Sequence, residues 1–264
     1  MAFSTGCVEH FISINVQPSG AYTLEFISRG DSTDIFDDDF PHPTAGKRWA
    51  QHVWTEKSDK DTTWIMETRG YLEPGHRFVA PGEGLGALLH PVEIEIKKRW
   101  VSTLYTARHT FTGREIYRKY PRLGESLEES AGSDSVEWTT EAFMYIVSSA
   151  LKDMEKQSDS GLTPFTIERM TTHVRNYAER VKSKKLIAEI SGERDDFLEK
   201  LLQPFASDLQ SSFYKDLDDA MHPYEEELRI TTGLQDDKFH FRLTMPGLVT
   251  RSNADTLAGD TLKW

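Results

Sequence analysis

The chain has 264 residues, 38% of them hydrophobic and 11% aromatic, and a formal net charge of −12. That length suits one large domain or two ordinary ones with a real core. The charge excludes nucleic acid, whose phosphates need a basic surface, and disfavours an electrostatic grip on anionic lipid, while no run approaches the roughly twenty apolar residues of a membrane span.

From about residue 8 to 120 the pattern is β. Ile12, Ile14 and Val16 alternate with polar residues, Pro18-Ser19-Gly20 supplies a turn, and Tyr22, Leu24 and Phe26 alternate again. This is a hairpin signature. Further on, Val92, Ile94 and Ile96 alternate with Glu93, Glu95 and Lys97, and Val101, Thr103, Tyr105, Ala107, His109 and Phe111 share one parity. Such strands fit an antiparallel sheet with one buried and one solvated face. The loop Pro81-Gly82-Glu83-Gly84-Leu85-Gly86 lacks the Lys-Ser/Thr pair and the following helix of a phosphate loop, and reads as a connector.

From about 125 to 222 the period changes to three or four. Phe143, Val147, Leu151 and Met154 make one stripe. Ile167, Met170, Val174, Tyr177 and Val181 make a second, on a helix opened by Thr163-Pro164. Leu198, Leu201 and Leu202 make a third. Pro204 is expected to open a fourth helix carrying Leu209, Phe213, Leu217 and Met221, ended by His222-Pro223. From 224 the strand pattern returns: Leu228, Ile230 and Thr232, a turn at Gln235-Asp236-Asp237, then Phe239, Phe241, Leu243 and Met245. The predicted fold is α+β: an antiparallel β domain built from both ends of the chain, 8–124 and 223–264, with a helical insertion at 125–222. Long insertions between strands add little closure entropy.

Residues with chemical potential are few. The acidic run from Gly30 to Asp39 offers Asp31, Asp34, Asp37 and Asp39 as oxygen ligands for a hard cation. It lacks the EF-hand spacing, so a solvated loop is the expected state. Nine histidines are scattered along the chain, none at a zinc-binding spacing. Gly-x-Ser-x-Gly is absent. Trp264 and Tyr177 are the candidate partner-binding aromatics, since large flat rings dominate interfaces. No catalytic residue and no cofactor are implied.

The C-terminal stretch carries a more specific signal. Met245-Pro246-Gly247 through Arg251-Ser252-Asn253-Ala254-Asp255, closed by Gly259-Asp260-Thr261-Leu262-Lys263-Trp264, reads as strand, tight turn, short strand, second tight turn and a strand stopping on an aromatic residue. It resembles the C-terminal repeat of LppM-like domains in bacterial surface lipoproteins, where a Pro-Gly, a Ser-Asn-Ala and a Gly-Asn-Thr-x-x-Trp recur in that order. Asp260 stands where that family usually has Asn. The resemblance covers roughly the last forty residues well and the first hundred loosely.

Near the other end, Ser4-Thr5-Gly6-Cys7 looks like the end of a lipobox and makes Cys7 the candidate lipidation site. Ser4 departs from the aliphatic residue usual there, and only Met1, Ala2 and Phe3 lie upstream, too short for a signal-peptide core. Two readings stand: a trimmed leader with lipidated Cys7, or an ordinary thiol. Cys7 is the only cysteine, so it has no internal disulfide partner.

The resemblance implies a lipoprotein on the extracytoplasmic face of a bacterial membrane, in the periplasm or at the cell surface. It is held there by a lipid on Cys7 or by a segment beyond Trp264, with a protein partner in the envelope. The expected function is non-enzymatic binding or scaffolding, as an accessory subunit of a membrane complex. Two alternatives are a hydrolase or other enzyme with a loop site using Asp31, Asp34 or His42, and a carrier of lipid or another apolar ligand. A deep apolar cavity favours the carrier, and converging carboxylates and histidines favour the enzyme.

Overall fold

The computed structural model describes residues 8–36, 39–58, 62–79, 90–111, 116–130, 138–156, 162–181, 185–186, 190, 194–210, 212–234 and 237–264. The fold is α+β. The chain divides into a β unit built from both ends of the chain, up to about residue 113 and from 233 to 264, and a helical unit at 114–232. These boundaries lie about ten residues away from the expected 124/125 and 222/223.

In the β unit, β1 (Glu9–Val16) and β2 (Tyr22–Gly30) form the expected hairpin, with Ile12 opposite Phe26 and Ile14 opposite Leu24. A short helix, α1 (Ser32–Ile35), follows. Then come β3 (Trp49–Lys57) and β4 (Thr62–Leu72), a pair the sequence pattern did not reveal. β5 (Val92–Lys98) and β6 (Thr103–His109) pair with each other as a separate two-stranded sheet. The last strands are β7 (Lys238–Thr244), β8 (Thr256–Ala258) and β9 (Thr261–Lys263). The main sheet runs β3-β4-β2-β1-β7-β9-β8. Every pairing in it is antiparallel except β1 with β7, whose parallel match sets Ile12 beside Phe241 and Ile14 beside Leu243. A parallel neighbour needs a long crossover, and the helical unit occupies that place in the chain.

Period-two patterning assigns the two faces. Ile12, Ile14, Val16, Tyr22, Leu24 and Phe26 are each less than 5% exposed. They form one core with Phe40, Leu72, Phe78 and Val92, joined by Trp49, Phe111, Phe239 and Phe241. The C-terminal turns also follow the sequence. Gly247 and Gly259 hold φ of 91° and 65°, left-handed values that side-chain-bearing residues rarely adopt. The residues between Pro246 and Asp255 form no strand, so the expected short strand is β8.

The helical unit contains α2 (Ile116–Lys119), α3 (Pro121–Ser130), α4 (Thr139–Glu155), α5 (Pro164–Arg180), α6 (Arg194–Leu202), a 3-10 stretch at Gln203–Asp208, and α7 (Phe213–Gly233). Pro204 opens the 3-10 stretch, and the next α-helix begins only at Phe213. The expected strand at 228–232 is a misreading: those residues are the end of α7. Leu217, Met221, Tyr224 and Leu228, spaced four, three and four, are all buried in the helical core. Thr231 and Thr232 return hydroxyl hydrogen bonds to the carbonyls of Glu227 and Leu228, a helical habit. Pro223 sits inside this helix rather than ending it. The ring is exposed, and the carbonyl it leaves without an N–H belongs to the exposed Asp219, where water can reach.

The clearest stripe packs inward. Thr163 caps α5 by accepting from the Thr166 N–H at 3.2 Å, and Pro164 occupies the first turn. Ile167, Met170 and Val174 are buried, Val174 completely, and Tyr177 and Val181 pack on the same core. Val174→Asp is therefore expected to lower the stability of the isolated protein by at least about 3 kcal/mol, since a carboxylate there meets only apolar neighbours. An unchanged urea midpoint would overturn this placement.

Candidate functional site

Two features of the β unit merit the name of a site. The first is a cavity between the main sheet and the β5–β6 hairpin. Its volume is about 530 Å³, within the range of small-molecule sites. Ile12, Ile14 and Leu243 line it from the sheet, Val92, Ala107 and Phe111 from the hairpin side, and His109, Arg108, Asn253 and Trp264 add polar atoms. Strand alternation explains the apolar lining. Ala107, His109 and Phe111 share the parity that faces the sheet, and alanine leaves space where a larger side chain would fill it.

Trp264, a candidate partner-binding residue, is fixed at this cavity. Its backbone N–H and carbonyl exchange hydrogen bonds with Phe241 at 3.1 and 3.2 Å, and its indole N–H donates to the Asn253 carbonyl at 2.9 Å. Tyr177 lies in the helical unit against Phe197, with ring centroids 6.0 Å apart. Cys7 and Asp37 lie outside the described residues.

The second feature is a buried relay. Asp237 Oδ2 lies 3.1 Å from His10 Nε2, and His10 Nδ1 lies 2.7 Å from Ser28 Oγ. Ser28 Oγ is 2.7 Å from His42 Nε2, and His42 Nδ1 is 3.0 Å from Thr68 Oγ1. A carboxylate only accepts, so His10 Nε2 carries a proton. The other three contacts join ring nitrogens to hydroxyl groups, and a hydroxyl can donate or accept in each. His10, Ser28, His42 and Thr68 are each 8% exposed or less. The neutral state of His42 follows from its surroundings. Burial, aided by His10, pushes its pKa down to about 3.

Two more histidines are neutral for the same reason. Burial pulls His90 to about 4, and burial together with His90 pulls His109 to about 3. Their ring nitrogens meet at 3.3 Å, and His90 stacks on Phe111 with centroids 5.1 Å apart. The expected state of the histidines as isolated residues is thus replaced by two clusters joined through Phe40, which contacts both His10 and His90.

The acidic run behaves differently from a metal loop. Asp31 caps α1, its Oδ1 accepting from the N–H groups of Thr33 and Asp34. Asp34 and Asp39 border a hollow of about 270 Å³ together with His10, Ser28 and His42. Among the described residues, three metal-ligating side chains converge only at Asp218, Asp219 and His222 on α7, a surface group in which Asp218 already pairs with Arg194 at 3.0 Å. No helix among the described residues is long and apolar enough to cross a membrane.

Could the relay perform nucleophilic catalysis? The order carboxylate, imidazole, hydroxyl matches a nucleophile oriented by a base. Ser28 is only 2% exposed, however, and both flanking histidines saturate its oxygen. It lies within β2, whose two neighbours β1 and β4 take up the backbone N–H groups that an oxyanion would need. The arrangement is that of a satisfied internal network. A scan against protein-family models gives no match, and a search of curated proteins gives none either.

The neutral histidines carry a pH dependence. His42, His90 and His109 have folded values well below the ordinary 6.5 of an exposed histidine. The unfolded chain then binds more protons below that pH. The stability they confer is complete above about pH 6.5 and is lost as pH falls toward 4 and then 3. Each histidine contributes a slope of up to about 1.4 kcal/mol per pH unit. Urea midpoints should therefore fall steeply between pH 6.5 and 5, above the main carboxylate range. His109→Phe should reduce that slope by about one proton, whatever it does at pH 7; a slope equal to that of the wild-type protein would contradict this.

Proposed function

We propose that the protein is a non-enzymatic binding protein of the bacterial cell envelope that holds an apolar ligand, such as an acyl chain, between its main sheet and the β5–β6 hairpin. The observation that carries this reading is the cavity lined by Ile12, Ile14, Val92, Phe111 and Leu243. Apolar walls reward an apolar occupant at roughly 25 cal/mol per Å² of surface removed from water. The envelope location rests on the Pro246-Gly247 to Trp264 motif and on Ser4-Thr5-Gly6-Cys7. The protein then sits on the extracytoplasmic face, anchored through Cys7 or through a segment beyond Trp264, beside a protein partner. One acyl chain gives marginal attachment, so the partner or a second anchor is part of the proposal.

The test is gentle detergent extraction from native membranes, followed by mass spectrometry of the purified protein. A near-stoichiometric apolar molecule is expected, and Ala107→Trp, which fills the cavity, should abolish its retention. Cys7→Ser should shift the protein toward the soluble fraction. Recovery of ligand-free protein from membranes, with no melting-temperature rise on adding single-chain lipids, would overturn the reading.

A hydrolase remains the second reading because Asp237, His10 and Ser28 are in line. A fluorophosphonate probe separates the two. No adduct is expected on Ser28, given its burial; a stoichiometric adduct there would favour the enzyme.

A further inference from the structure

The opposite, outer face of the main sheet carries an arrangement that the inner cavity does not explain. Arg242 on β7 and Lys263 on β9 are directly opposite each other in an antiparallel pair, with both side chains on this face. Like charges placed so are destabilising. Neither makes an ion pair with any of the described residues, although the other arginines on the face do: Arg29 pairs with Glu56 at 3.0 Å and Arg69 approaches Glu25 at 4.0 Å.

Beside the two cations lies a hollow of about 440 Å³. Its apolar side chains are Phe11, Ile27, Trp54 and Ile65. They sit at positions where period two would place polar residues, since Phe11 and Ile27 have the parity of Ser13 and Glu25. His240 stacks flat on Phe11, centroids 4.7 Å apart with an interplanar angle of 14°. Apolar surface and unpaired positive charge therefore lie side by side.

We propose that this hollow binds a monoanionic single-chain amphiphile, its carboxylate held between Arg242 and Lys263 and its chain laid over Phe11, Ile27, Ile65 and Trp54. A carboxylate matches the guanidinium fork and relieves the repulsion between the two cations. Glu25 borders the same hollow with Arg69 4.0 Å away, and Arg29 at its rim is paired with Glu56, so Arg242 and Lys263 are the cations left for the head group. The two hollows share Phe241, Arg242 and Trp264 at their margins, but Lys263, Phe11, Ile27, Ile65 and Trp54 border the outer one alone.

The test is titration calorimetry of the full chain with decanoate, decyl phosphate, decanol and acetate. Lys263 borders only the outer hollow. Lys263→Gln should weaken decanoate at least about tenfold, and Arg242→Gln/Lys263→Gln further, because charge-assisted hydrogen bonds are lost. Both side chains are exposed, so the fold should persist. Decanol and acetate should bind at least about tenfold more weakly than decanoate, each lacking one half of the recognition. Decanoate affinity unchanged in the double variant, or decanol binding as well as decanoate, would overturn the site. Decyl phosphate binding the wild-type protein more tightly than decanoate would overturn the carboxylate assignment. Loss of decanoate binding in Ala107→Trp but not in Lys263→Gln would place the ligand in the inner cavity and refute this site without touching that reading.

Discussion

Polar side chains buried among aromatic rings govern the β unit. The inner face of the main sheet is covered by irregular segments bearing Phe40, His42, Phe78 and His90, together with the β5–β6 hairpin. Irregular chain brings polar groups with it, and each must find a partner once water is excluded. The relay from Asp237 through His10, Ser28 and His42 to Thr68 meets that requirement. It ties β1, β2 and β4 to the covering loop at residue 42 and to the residue that leads into β7. Tyr22 does the same elsewhere, donating to the His76 carbonyl at 3.0 Å and accepting from the Phe78 N–H at 3.1 Å. A hydrogen-bonded chain tolerates less displacement than an apolar contact of equal area. The position of the loops, and hence the shape of the space beside them, follows from it.

The same constraint explains why the histidines are neutral and why that matters for the cavity. A cationic His109 would draw water into the space beside Phe111 and Phe241. Neutral and paired with His90, it presents a nearly apolar wall. Ser28 carries the complementary lesson. Catalytic order alone does not make a nucleophile, because a hydroxyl held from both sides inside a sheet has neither room nor donors for a developing oxyanion.

What the sequence disclosed follows from where period two survives. β1, β2, β5, β6 and β7 were readable because most of their inward positions are apolar or aromatic, with His10 and Ser28 among the exceptions. β4 was hidden because its inward positions include Thr68 and Gly70, while Ile65 faces outward and is still 4% exposed. β3 is an edge strand exposed along nearly its whole length, so no burial pattern marks it. Leu228, Ile230 and Thr232 alternate by coincidence at the end of a helix whose true spacing begins at Leu217. Of the site, the histidines were visible only as scattered residues. Their partners lie 14, 18, 26 and 227 positions away, and Ser28 and Thr68 carry no signal of their own. Pairing across such separations is a property of topology, above all of the parallel β1–β7 match that brings Asp237 to His10.

Overall charge and local charge point in opposite directions here, and distance decides between them. A net charge of −12 rules out broad adhesion to anionic surfaces, because adhesion of that kind sums over many groups. A cleft of a few hundred cubic ångströms is governed by what lies within about one Debye length, roughly 8 Å at physiological salt. Within the outer hollow those groups are Arg29, Arg242, Lys263 and Glu25, with Arg29 paired to Glu56 and Glu25 approached by Arg69, and the balance is positive. Remote carboxylates slow the approach of an anion but are screened once it is seated. The cation pair therefore keeps its preference for a negative partner in a protein whose composition alone argues against one.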